Sequence, residues 1–193
     1  YVVNCAEHSD TEELAGRVRT CCHQITLIRK RGISLPLLLV SYLEAVRGQG
    51  PWFSWEADLA NPSVREADTC VSLSDWQRQL DDGATQALRV QTSVQLNAVA
   101  DWLSEEVLPH FVLNDSRSST GLAIACAVTL VQTLPQKVSS NLWQQLLRDK
   151  FSLTDGRQSP ETAGPTLPFP DPLLHLLPTQ NQNSPARRAS VIA

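Results

Sequence analysis

Residues 121–134, GLAIACAVTLVQTL, decide how this chain reads. The run is interrupted only by polar residues such as Thr129 and Gln132, and it falls short of the ~20 apolar residues needed to cross a bilayer. It is hydrophobic nearly all round, which is the look of a helix enclosed by neighbours, and Pro135 stops it. The reading is a central core helix.

Working outward, the flanking segments fit around such a helix. Towards the C-terminus, Ser139 or Ser140 caps a helix in which Leu142, Trp143, Leu146, Leu147 and Phe151 share a face. Before the run, residues 84–108 place Ala87, Val90, Val94, Ala98 and Trp102 three and four apart, with Pro109 closing a long helix. Ser72 with Asp75 starts a short helix through Leu80, Asn61-Pro62 starts another through Cys70, and Asp81-Asp82-Gly83 marks a turn.

Asp10 and Glu13 read as a capping box for a helix over residues 11–31, with Arg29, Lys30 and Arg31 at its negative end and Gly32 as its left-handed cap. Ser34 and Pro36 open a second helix, Leu35 to Val46, two residues later, so the pair forms an antiparallel αα-hairpin. Trp52, Phe53 and Trp55 follow the Gly48–Pro51 break as a loop or a short helical turn carrying a local plug or a contact surface. No segment alternates convincingly as a strand. The expected fold is all-α: antiparallel helical hairpins forming an α-solenoid-like array or an irregular helical bundle over residues 1–154.

From residue 155 to 193 the composition changes, with seven of the twelve prolines and none of the tryptophans or cysteines. That segment reads as a disordered tail, because it cannot bury enough apolar surface to offset the entropy of ordering it. Within it, Asp171-Pro172 favours a helical turn, and Leu173, Leu176 and Leu177 then form one apolar edge. The spacing resembles the LxxLL box by which coactivators engage nuclear receptors; docking of the turn on its own domain or another subunit is the reading it supports most. Arg187-Arg188-Ala189-Ser190 resembles a basophilic kinase site, so Ser190 is a candidate phosphorylation residue, and Ser159-Pro160 and Ser184-Pro185 resemble proline-directed sites.

The bulk numbers narrow the function. A net charge of −4 argues against general affinity for nucleic acid, unless Arg17, Arg19, Arg29, Lys30 and Arg31 form a local patch. Five scattered cysteines point to a reducing compartment, nuclear or cytoplasmic, and the Asn114-Asp115-Ser116 sequon does little against that. A chain beginning at Tyr1 without methionine reads as the C-terminal part of something longer. Cys5, His8, Cys21, Cys22 and His23 lack zinc-ligand spacing, the histidines sit beside no nucleophile motif, and no glycine-rich phosphate loop is present. No cofactor is expected. The function that remains is a non-enzymatic scaffold or subunit domain of a multiprotein complex, with Trp52, Phe53, Trp55, Leu173, Leu176 and Leu177 as candidate partner-binding residues.

Overall fold

The computed structural model describes residues 1–33, 35–45, 50–56, 61–66, 68–79, 83–111, 123–152 and 166–177. In chain order these build α1 (Thr11–Lys30), β1 (Leu37–Glu44), β2 (Trp52–Glu56), β3 (Ser63–Glu66), β4 (Thr69–Ser72), α2 (Leu73–Arg78), α3 (Gly83–Trp102), β5 (Ala123–Val131) and α4 (Leu142–Phe151). The five strands form one mixed sheet in the order β1-β5-β2-β3-β4, so the last strand inserts between the first two. β5 runs parallel to β1 and antiparallel to β2, and the β2–β3 and β3–β4 pairs are antiparallel. Outside β1, Val2 bridges Val40 in parallel, which makes α1 the crossover between the N-terminal residues and β1.

The chain is therefore mixed α/β rather than all-α, and its described residues form neither a helical-repeat array nor a helical bundle. Within the expected core helix at residues 121–134, Ala123–Val131 form the interior strand β5. The expected second helix, Leu35 to Val46, contains β1, the expected aromatic loop is β2, and the short helix expected from Asn61 through Cys70 is the β3–β4 hairpin. The reason is burial on both faces: β5 carries buried residues at every position from Ala125 to Val131, and β1 is buried at all but Leu38 and Glu44. Such strands lose the apolar–polar alternation and become continuous apolar runs, which satisfy a helical period equally well.

Register fixes which side chains share a face. On one face lie Leu39, Leu43, Val128, Leu130, Phe53 and Val64, all buried. Phe53 meets Trp76 of α2 edge-on at 5.3 Å, and Arg89 of α3 lies over the same Trp76 ring at 4.9 Å, which puts the helical layer on this side. The other face carries Tyr42, Thr129, Trp52, Ser54, Ser63 and Arg65. A short 3-10 turn, Asp171–Leu176, and the residues leading into it lie over that face, as hydrogen bonds from Tyr42 and Arg65 show. We call residues 166–177 the strap; they lie inside the stretch expected to be a disordered tail.

The other helices keep their expected places. Asp10 caps α1 by accepting the Glu12 amide at 3.0 Å, a simple cap in place of the expected box with Glu13, and Gly32 beyond the helix end takes φ 80°, where a side chain would be strained. Ser72 caps α2. α3 runs on through a π turn at Leu103–Val107 and a 3-10 turn, Leu108–Phe111, that contains Pro109. The cap of α4 is Asn141 rather than Ser139 or Ser140, because the reciprocal box needs Gln144 three residues on. Ser34 and Leu80 lie outside the described residues.

Candidate functional site

Three places bring together groups that could act. The first is the strap's anchorage. Tyr42 donates its hydroxyl to the Pro168 carbonyl at 2.7 Å, and Leu173 is fully buried in the core. Beside it, Arg65 pairs with Glu56 through side chains only 10% and 7% exposed. Ser54 donates its hydroxyl to Glu56 Oε1 at 3.0 Å and accepts from Arg65 Nε at 3.3 Å. Arg65 Nη1 reaches His175 Nε2 at 3.4 Å, and because a guanidinium can only donate, the bond requires an unprotonated Nε2. This network has ionisable groups in contact, but it is not a nucleophile and its base. Among the described residues the Ser54 hydroxyl meets Glu56 and Arg65, not an imidazole. Its work is to bridge β2, β3 and the strap, and breaking such a buried pair costs about 3–5 kcal/mol.

The second is a cleft of ≈ 690 Å³ at the start of α1, lined by Val2, Asn4, Glu7, His8, Arg17 and Cys21, with Leu167 from the strap. Asn4 is 1% exposed; its Oδ1 accepts the Tyr42 amide at 2.8 Å, and its Nδ2 has no hydrogen-bond partner. A buried donor in that condition forfeits about 1–3 kcal/mol. The His8 ring is held below its usual range by burial and then by Arg17, against the opposite pull of Glu7 and Glu13. Of the thiols near it, burial pushes Cys5 well up and Cys22 to about 11, which suppresses their thiolates.

The third is the outer face of α3. The helix is turned opposite to the expected stripe at its N-terminal end. Ala87, Val90 and Val94 are exposed, Val90 by 59% and Val94 by 46%, while Thr92, Ser93, Leu96 and Val99 face the core. Ser93 is accommodated because its hydroxyl donates to Arg89 O at 2.8 Å and accepts from Gln77 Nε2 at 2.6 Å. The exposed positions Gly83, Ala84, Gln86, Ala87, Val90, Gln91, Val94 and Asn97 carry no charge, and Arg89 folds back to donate to Trp76 O at 2.7 Å.

The expected partner-binding residues are largely internal. Trp52 packs edge-on against Tyr42 at 5.8 Å, Phe53 is 1% exposed, and Trp55 and Leu176 pack partly buried against the core. Leu177 is half-buried and ends the strap. Ser190 and its arginines, with Ser159 and Ser184, lie outside the described residues. The five basic residues are spread along α1 and its C-terminal end: Arg17 lines the cleft, Arg19 pairs with Glu12 at 3.7 Å, and the Arg29 Nε is buried. Arg29 lies about 18 Å along the helix axis from Arg17.

Sequence reasoning missed Asn4, Glu56, Arg65 and the outer face of α3. Buried charges on a short strand look like solvated ones, so Arg65 gave no signal. Asn4 stands in a stretch without periodicity. Among the described residues, no group of three or more His, Cys, Asp or Glu could hold a metal ion, and no helix is long and apolar enough to cross a membrane. Comparison with protein-family models, with curated proteins and with solved structures found no match.

Proposed function

We propose that this chain is a non-enzymatic interaction domain, a subunit of an intracellular protein assembly, and that it receives an amphipathic helix of a different protein on the outer face of α3. The observation that carries this reading is a helix face exposed over four turns, with Val90 and Val94 at its centre and no charged residue at any exposed position from Gly83 to Asn97. Depletion of charge around apolar residues is the compositional mark of an interface core, whereas a face meant only for water is dressed with Lys and Glu. The outer face of α1 provides the contrast, with Glu12, Glu13, Arg19 and Lys30 all exposed. Apolar residues three and four apart, here Ala87, Val90 and Val94, are also what a partner helix packs against. Five cysteines, all free, support a reducing compartment for the assembly.

The test is quantitative affinity purification of the full chain beside the double variant Val90→Glu, Val94→Glu. Both positions are exposed, so the variant should melt within a degree or two of the parent. Loss of a specific partner from the variant alone is the expected result. An identical partner set, or recovery of nothing but further copies of this chain, would overturn the reading.

A further inference from the structure

Asn4, which lines the cleft at the start of α1, carries a buried donor that has no acceptor. Asn4 Oδ1 is committed to the Tyr42 amide, which fixes the orientation of the side-chain amide and leaves Nδ2, in a residue 1% exposed, without a partner. The cleft it lines, ≈ 690 Å³, falls within the ~300–1,000 Å³ range of small-ligand sites. Arg17, which makes no ion pair among the described residues, brings a cation to the same cleft. Val2 and Leu167 supply apolar wall, and Glu7 supplies one negative charge.

We propose that this cleft binds a monocarboxylate with an apolar body, one oxygen accepting from Asn4 Nδ2 and the charge facing Arg17. A side-chain amide donor together with a guanidinium is the donor set a carboxylate satisfies, and charge-assisted bonds of this kind are the strong ones. Glu7 limits the ligand's charge: a phosphate or dicarboxylate would set its second negative charge against that carboxylate. The carboxylate has two sources, a free small acid or the C-terminus of a peptide. Occupancy also reaches the strap, because Leu167 touches the ligand space while Tyr42 binds Asn4 through its amide and Pro168 through its hydroxyl.

The experiment titrates the purified protein with 4-phenylbutyrate, and separately with the tetrapeptide Ala-Ala-Ala-Val, each beside its carboxamide. The readout is the Asn4 side-chain NH₂ resonance. At least one carboxylate should shift that resonance saturably, with its carboxamide weaker by roughly tenfold or more. Arg17→Gln should weaken the same carboxylate by roughly tenfold without changing the melting temperature, since Arg17 is exposed. The arm that binds identifies the source. Absence of a saturable shift from both acids up to their solubility limits, equal binding of the carboxamide, or an unchanged affinity in Arg17→Gln would each overturn the proposal.

Discussion

Leu173→Ala tests whether the strap is a structural layer of the domain. Leu173 has no exposed surface, and truncation of a core leucine costs about 2–5 kcal/mol when its surroundings cannot collapse. Besides the partly buried Leu167 and Leu176, the strap's remaining ties are polar: the 2.7 Å Tyr42–Pro168 bond, worth about 0.5–1.5 kcal/mol net, and the 3.4 Å Arg65–His175 contact, too long to reach the usual strength of a charged donor. Their sum is comparable to the loss, so the variant should release the strap while the sheet and helices stay folded. Native-state hydrogen exchange separates local from global opening. The Leu173 and Leu177 amides, bonded to Pro170 O and Leu174 O, should exchange faster by about 30-fold for a 2 kcal/mol loss and more for a larger one. Amides of β5 should change far less. Leu173→Met, which nearly conserves volume, should restore most of the protection. If the two amides exchange in the parent as fast as an unfolded peptide, or are unmoved by Leu173→Ala, the strap is not held by this side chain and the third layer does not exist.

Three further outcomes are expected. Asn141→Ala removes a fully buried cap that accepts from Gln144 N at 2.9 Å and donates to Val138 O at 2.8 Å; a loss of about 2 kcal/mol should lower the melting temperature by about 4–8 °C. Lys137→Met removes the ammonium 2.5 Å from the buried Glu44 carboxylate and should cost about 3–5 kcal/mol in urea unfolding, most of it recovered by adding Glu44→Gln. Burial pushes the Cys126 thiol up to about 11, so the folded state favours its protonated form. That contribution is whole below the unfolded value of about 8.5 and is lost as pH rises towards about 11, by roughly 3 kcal/mol. Urea unfolding of Cys126→Ala should show a shallower alkaline decline than the parent; parallel curves would count against the buried thiol.

The helices were legible because their end signals are chemical and local. Asp10, Gly32 and Ser72 act where they were read, since a cap needs only a side-chain oxygen or a free φ next to the backbone groups it serves. The orientation of α3 was not, because Thr92 and Ser93 look outward-facing until Gln77 and the Arg89 carbonyl satisfy the Ser93 hydroxyl from within. The candidate sites were hidden for a related cause. Asn4 and Arg65 are polar residues whose meaning depends on partners 38 and 110 positions away, Tyr42 and His175, and no window of sequence contains both ends of such a pair.

The misreading of β1 and β5 and the presence of the strap have one physical origin. An antiparallel sheet with one wet face would show alternation, polar residues at every second position. β3 comes close to it, with Val64 towards the helices and Ser63 and Arg65 towards the strap. Its polar residues can stay there because Ser54, Glu56 and His175 complete the Arg65 hydrogen bonds. At β1 and β5 the strap side is instead filled by Val40, Tyr42, Ala125, Ala127 and Val131, which no water-facing strand would carry. A second cover was therefore required by the residues 121–134 run from the outset, and the only described segment that reaches that face from the far end of the chain is the leucine turn at Asp171–Leu176.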